Sequence, residues 1–164
     1  MTIIGIDPGK SGGVAIWRNG LHTIVKCPKT TEGMADIIRT SKNSEYVDKN
    51  MRAVAYLELV HAMPHDGRSS LFKFGQNYGQ WQGILAAYKV RTVLMSPQKW
   101  MKYWQDKLNI KLPKEKQERK RSLKEMASHY TDKRVTLYNS DAILIAMYGL
   151  YMEQERRKNG SEES

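Results

Sequence analysis

The chain has 164 residues, 40% of them hydrophobic and 27% charged, with a formal net charge of +10. That is enough chain for one domain with a proper core, and no run approaches the roughly 18 apolar residues a membrane span needs. The positive surplus favours polyanionic partners, nucleic acid foremost; no signal-like stretch opens the chain and Cys27, the single cysteine, has no internal disulfide partner, so a cytoplasmic setting is expected.

In chain order, residues 2–8, 12–18 and 21–27 read as three short strands, with Arg18-Asn19-Gly20 as the hairpin signal between the second and third. Cys27 is expected to fill space in or near a strand. A short helix is predicted over 31–40, a polar connection over 41–50, and a fourth strand from Arg52 to Glu58. His61 to Arg68, with Pro64 and Gly67, reads as a loop, after which Ser69 or Ser70 is predicted to cap a long helix. That helix carries Leu71, Phe74, Tyr78, Trp81, Leu85 and Tyr88 in steps of three and four. Gly75 and Gly79 lie on one of its faces, where either the protein's own sheet or a second subunit could approach closely. A fifth strand is predicted over 90–95, then a short helix opened by Pro97 and carrying Lys99, Trp100, Tyr103 and Trp104. A helix of about 115–129 follows the break at Pro113, and Ser140-Asp141 opens a last helix to about 157. The order suits an α/β domain over 1–155, a mixed sheet covered by helices, with a charged, frayed tail over 156–164.

Between Lys107 and Lys124 the chain gathers Lys111, Lys114, Lys116, Arg119, Lys120 and Arg121. Some of these pair with Glu115, Glu118 and Glu125 along a solvated helix face; the surplus suits a face that tracks phosphates.

Three carboxylates stand out as a set. Ile3-Ile4-Gly5-Ile6-Asp7-Pro8-Gly9 drives an apolar strand into Asp7 and then turns; Glu58 ends the fourth strand; Asp141 opens the last helix. A carboxylate at the end of a buried strand is costly to desolvate unless a cation or donor meets it. Hard cations such as Mg²⁺ take oxygen ligands, and phosphodiester hydrolysis uses them to activate water and neutralise the leaving oxygen. Each residue also has an ordinary role open to it. Asp-Pro-Gly is common turn chemistry, Glu58 can be a solvated strand end, and Asp141 can complement a helix dipole.

The wording of these segments resembles the RuvC-like Holliday junction resolvases, particularly their phage-type branch. The resemblance rests on Ile4-Gly5-Ile6-Asp7-Pro8-Gly9 with Gly12-Gly13-Val14-Ala15, on Tyr56-Leu57-Glu58, on Phe74-Gly75-Gln76-Asn77-Tyr78-Gly79, and on Ser140-Asp141-Ala142-Ile143-Leu144-Ile145-Ala146. It implies an RNase H-like fold, a five-stranded mixed sheet with three antiparallel strands first and two parallel additions, flanked by helices. It further implies a homodimer that nicks opposing strands of a four-way DNA junction, in a bacterial cytoplasm or a phage-infected host cell. The cofactor would be Mg²⁺, with Mn²⁺ as a substitute, held by Asp7, Glu58 and Asp141; no small-molecule cofactor is implied. Lys99 and a basic residue near Lys120, with Arg119 and Arg121 beside it, take the phosphate-contacting positions. His61 stands where the family can carry a junction-stacking aromatic.

One departure bears on function. The family normally has a second Asp or His one helical turn before the last aspartate, and this chain has Tyr138, followed by Asn139 with only a neutral oxygen. Two readings follow: a structure-selective endonuclease, or a junction-binding protein with little catalysis. A sugar-kinase or actin-like ATPase would need two such domains, more chain than is present.

Overall fold

The computed structural model describes residues 1–43, 53–59 and 67–162. Strands β1 (Thr2–Asp7), β2 (Gly13–Trp17) and β3 (Leu21–Lys26) form an antiparallel meander. Arg18 N–H donates to the Gly20 carbonyl at 2.8 Å, and Asn19 and Gly20 take φ of 52° and 131°. That left-handed pair is what a tight hairpin requires. Helix α1 (Thr31–Asn43) leads towards β4 (Ala53–Glu58), and α2 (Arg68–Ala87) leads to β5 (Arg91–Met95). Helices α3 (Pro97–Leu108), α4 (Lys116–Ser128) and α5 (Ser140–Glu162) complete the order. The sheet runs β3-β2-β1-β4-β5, with β4 parallel to both β1 and β5. This is the expected RNase H-like α/β architecture.

Strand alternation sorts the core into two layers. Ile4 and Ile6 of β1, with Ala55 and Leu57 of β4, face Met34 and Ile38 of α1 and Trp81 and Leu85 of α2. Buried Cys27 belongs to this layer. Ile3 of β1 and Val54 and Tyr56 of β4 face α5, together with Trp100, Trp104, Leu123 and Met126 from α3 and α4. Gly5 and Asp7 share the face of Ile3, and Glu58 shares that of Tyr56, so both carboxylates emerge on the α5 side. The parallel register runs from Thr2 opposite Ala53 to Ile6 opposite Leu57, so both also lie at the carboxyl ends of adjacent strands. Open α/β sheets commonly bind ligands at that edge.

Helix α5 is the central brace, buried from Asp141 to Leu150 and apolar around its circumference, as a helix enclosed on all sides must be. It lies directly on β1 because Gly5 has no side chain. A Cβ there would stand 2.3 Å from the Ala142 carbonyl oxygen and 2.4 Å from the Ala146 nitrogen. Farther along, the Tyr56 ring packs onto Gly149, and the Tyr56 hydroxyl donates to Glu153 Oε1 at 2.9 Å. Arg91 is ion-paired with the same carboxylate.

Some predicted ends move. Neither Ser69 nor Ser70 caps α2: the helix begins at Arg68, Gly67 is the N-cap, and no side chain accepts a bond there. A capping residue needs extended backbone, which Gly67 supplies at φ −64°, ψ 142°, whereas both serines already lie inside the helix. Helix α1 continues to Asn43, and α5 continues to Glu162 rather than ending near 157. Arg52 and His61 lie outside the described residues.

Candidate active site

Asp7, Glu58 and Asp141 arrive by three routes. The first two come from neighbouring strand ends; the third comes from the first turn of α5, seated over Gly5. They are 9%, 8% and 7% exposed respectively, so each is far more buried than a free carboxylate tolerates. The site meets this cost with specific partners. Trp100, in α3 and itself buried, donates its indole N–H to Glu58 Oε1 at 2.9 Å. Ser140 Oγ donates to Asp141 Oδ1 at 3.1 Å. Lys120 reaches in from α4 and donates from Nζ to Asp141 Oδ2 at 2.5 Å.

The electrostatics tie these groups together. Burial pushes the Asp7 carboxyl well above the ordinary carboxylate range, and the charges of Glu58 and Asp141 add to the push, opposed by Lys120. Burial also raises Glu58; the Trp100 donor and a hydrogen bond with Asp7 work against that rise, and Asp141 adds to it. The bond between Asp7 and Glu58 favours the protonated form of the first and the ionised form of the second. For Lys120, burial disfavours the ammonium, but Asp141, Asp7 and Glu58 more than offset it and hold the group above the usual lysine value. Three acids therefore share one locus where their mutual repulsion is only partly neutralised.

That donor set suits a hard divalent cation: all oxygen, concentrated, and short of positive charge. Among the described residues no three acidic, histidine or cysteine side chains stand ready in metal-ligating geometry. The carboxylates are instead engaged in pairs, Asp7 with Glu58 and Asp141 with Lys120. Metal binding would exchange these pairings for shared ligation, with Lys120 released from Asp141.

A cavity of about 860 Å³ opens onto the site, lined by Asp7, Glu58, Lys120, Lys116, Lys10 and Tyr138 among others. The Pro8–Gly12 turn forms one wall, with Gly9 at φ 105°, a left-handed conformation suited to glycine. Asn77 of α2 steadies that turn by accepting from Gly9 N–H at 2.8 Å.

The basic residues distribute unevenly. Lys120 is in the site, and Lys116, one turn earlier, lines the cavity. Arg119 instead donates to the carbonyls of Lys114 and Pro113, at 2.8 and 3.3 Å, tying down the loop before α4. Exposed Arg121 lines a separate cleft of about 450 Å³ with Lys124 and Lys133. Lys99 is exposed in the first turn of α3, outside the cavity lining. Asn139 is not a free oxygen donor to a metal: its Oδ1 accepts from Thr136 N–H at 2.7 Å, and its Nδ2 donates to the Arg134 carbonyl at 3.4 Å.

Trp100 and Asn77 are the site residues that sequence reasoning missed. A tryptophan buried at a strand-end helix does carry a signal, because its N–H needs an acceptor; which acceptor depends on packing between β4 and α3. Trp100→Phe is expected to lower the unfolding free energy by about 1–3 kcal/mol at neutral pH, because the buried donor that favours the ionised form of Glu58 is lost. The deficit should shrink in acid as Glu58 protonates. Urea unfolding at two pH values checks this, and equal stability of the two proteins at neutral pH would mean that the indole bond does not support Glu58.

Together the strand order and the α5 brace define an RNase H-like fold, which solved RuvC structures share. A solved structure of Thermus thermophilus RuvC superimposes with a TM-score of 0.60 at 13% identity, covering 94% of this chain and 96% of that one. A second, T. thermophilus RuvC in complex with a Holliday junction substrate, gives a TM-score of 0.58 at 12% identity with the same coverage. The yeast mitochondrial Holliday junction resolvase Ydc2 gives 0.47 at 12% identity, over 89% of this chain and 74% of its own. No protein-family model and no curated protein sequence matches. At these identities the likeness is one of fold.

Proposed function

We propose that this chain is a divalent-metal-dependent endodeoxyribonuclease that resolves four-way DNA junctions by paired nicks. One observation carries the reading: Asp7, Glu58 and Asp141, remote in sequence, meet beside Lys120 at the edge of an open, lysine-bearing cavity. The junction-bound state of T. thermophilus RuvC, which shares the fold, supports branched DNA as the substrate. Mg²⁺, or Mn²⁺ in its place, held by Asp7, Glu58 and Asp141 would neutralise charge on the reacting phosphate and make water more acidic. Water adds to phosphorus and the P–O3′ bond breaks, leaving a 5′-phosphate and a 3′-hydroxyl. Lys120, released from Asp141, offers N–H donors to a phosphate oxygen. Trp100 keeps Glu58 aimed into the site. Lys99, Arg119 and Arg121 extend the positive surface beyond the cavity, and His61 remains proposed as a junction contact. Among the described residues no helix is long and apolar enough to cross a membrane; the setting proposed from the family resemblance is a bacterial cytoplasm or a phage-infected cell.

The proposal includes a homodimer through α2. Gly75, Gly79 and Gly83 follow one another along one helix face, and a Cβ on any of them would meet nothing within 4 Å among the described residues. Glycine in a helix interior costs about 1 kcal/mol relative to alanine, and among the described residues nothing packed against these three offsets that. Phe72, 74% exposed, continues the same face. A second copy of α2 fits a surface that lets backbones approach closely. Gly79→Arg is expected to yield a folded monomer that makes single rather than paired nicks, read by sedimentation and by nick pairing. An arginine variant that stays dimeric would remove α2 from the interface.

The deciding experiment incubates a labelled four-way junction with protein and Mg²⁺ or Mn²⁺. Symmetric nicks are expected; a shifted but intact junction would favour the binding-only reading. That second reading draws on Tyr138, exposed where an acidic ligand is expected, and on Asn139, whose amide is already engaged. Junction affinity should fall steeply with salt, by about 0.9 in log–log slope per phosphate neutralised on duplex arms, and a flat response would mean that the lysines do not contact phosphate.

A further inference from the structure

Tyr138 stands where the family resemblance leads one to expect a ligand, and its surroundings fit a different task. Leu137 and Tyr138 are each 47% exposed, and both line the cavity that holds Asp7, Glu58 and Lys120. Two large apolar side chains side by side in solvent are costly, yet the turn presenting them is firmly built. Asn139 Oδ1 accepts from Thr136 N–H, Tyr138 N–H donates to Thr136 Oγ1 at 3.3 Å, and Ser140 N–H donates to the Thr136 carbonyl at 3.1 Å. Gly13 of β2 lets this turn sit close, since a Cβ there would lie 2.7 Å from the Tyr138 carbonyl oxygen. Lys26, at the end of β3, places its ammonium 4.3 Å from the centre of the Tyr138 ring, a cation–π arrangement.

An anchored, half-exposed aromatic ring beside a cation, at the mouth of a cavity that also carries Lys10, Lys116 and Lys120, has the chemistry of a nucleobase platform. Lysines take the phosphates, while an aromatic face takes a base without regard to its identity. Bases within a duplex have both faces covered by their neighbours, so only an unstacked base can use such a ring. We propose that Tyr138, flanked by Leu137 and Lys26, stacks on an unstacked nucleobase next to the scissile linkage and thereby favours branched over continuous DNA. This rests on the nucleic-acid reading of the cavity and adds a specificity-determining residue to it.

The test uses four-way junctions with 2-aminopurine placed in turn at each branch nucleotide, and matched linear duplexes, with full-length wild type, Tyr138→Phe and Tyr138→Ala. Wild type and Tyr138→Phe are expected to quench the probe at one branch position. Tyr138→Ala should lose the quench and bind the junction about 5- to 150-fold more weakly, the equivalent of roughly 1–3 kcal/mol per stacked base, with duplex affinity unchanged. Far-UV circular dichroism and thermal unfolding check that the alanine variant is folded. Undiminished quenching and junction affinity in Tyr138→Ala would overturn the proposal, as would an equal loss on junction and duplex. Wild-type quenching without nicking in Mg²⁺ would uphold the platform and remove the hydrolytic reading; no wild-type binding to DNA would overturn both.

Discussion

Gly5→Ala is expected to destabilise the protein and to abolish nicking even at temperatures where the variant stays folded. The added methyl would press on the α5 backbone, 2.3 Å from the Ala142 oxygen and 2.4 Å from the Ala146 nitrogen, and backbone cannot rotate aside as a side chain can. Restoring ordinary contact requires α5 to retreat from β1 by about 1 Å. Overpacking of this kind costs roughly 1–3 kcal/mol or more. The functional loss should be larger than the stability loss suggests. Asp141 precedes Ala142 directly, so the retreat withdraws it from Asp7 and Glu58, and a misplacement of about 1 Å can cost around 100-fold in rate. Urea midpoints together with junction nicking below the unfolding transition check both parts. An unchanged midpoint would show that α5 does not bear on β1 at this residue.

Asp7→Asn should separate function from stability in the opposite sense. Nicking is expected to fall at least about 100-fold, since a charge-stabilising ligand for the metal is worth several kcal/mol, while junction binding persists through the lysines. Without metal, the variant should be more stable than wild type at neutral pH. Asp7 has its folded-state pKa raised by burial and by Glu58 and Asp141, so its contribution favours folding below the ordinary carboxylate pKa. That contribution is lost as pH rises through the raised value. Above the ordinary carboxylate pKa the wild type bears the cost either of keeping Asp7 protonated or of burying a third charge beside Glu58 and Asp141, and asparagine bears neither. The stability difference should therefore shrink as the solution is made acidic, and Mg²⁺ should stabilise wild type much more than the variant. Thermal unfolding in EDTA and in Mg²⁺ across pH gives the answer. A variant less stable than wild type in EDTA at neutral pH would contradict the repulsion inferred among the three acids, and wild-type nicking by the variant would remove Asp7 from the chemistry.

These two outcomes share a cause: the geometry that makes the site useful is the one that strains it. Carboxylates held at strand ends under a tightly seated helix are costly until a cation or a phosphate with its counter-charge arrives. Lys120 lowers that cost in the free protein by occupying Asp141, and in the proposed reaction the same ammonium would turn to substrate.

Much of this was legible from residue order. The run Ile3-Ile4-Gly5-Ile6-Asp7 marks a buried strand ending in an acid, Asn19-Gly20 marks the hairpin, and the period of Trp81, Leu85 and Tyr88 marks a helix with a core face. These are local signals, governed by backbone sterics and by side-chain periodicity, and they specify the elements and their order with few alternatives. End positions were less legible where capping depends on backbone conformation, as at Gly67, because several polar residues there compete for one role.

Residue order alone yields the inventory: a basic α/β chain with three acids at element ends and a glycine-striped helix. Which groups meet is a matter of packing. Trp100 pairs with Glu58 and Lys120 with Asp141, Arg119 turns back to its own loop, and Tyr138 stands at the cavity mouth beside Lys26. Such pairings depend on the register of β1 against β4 and on how closely α5 lies over Gly5. Those distances are set by packing between segments far apart along the chain, and no local pattern of residues encodes them.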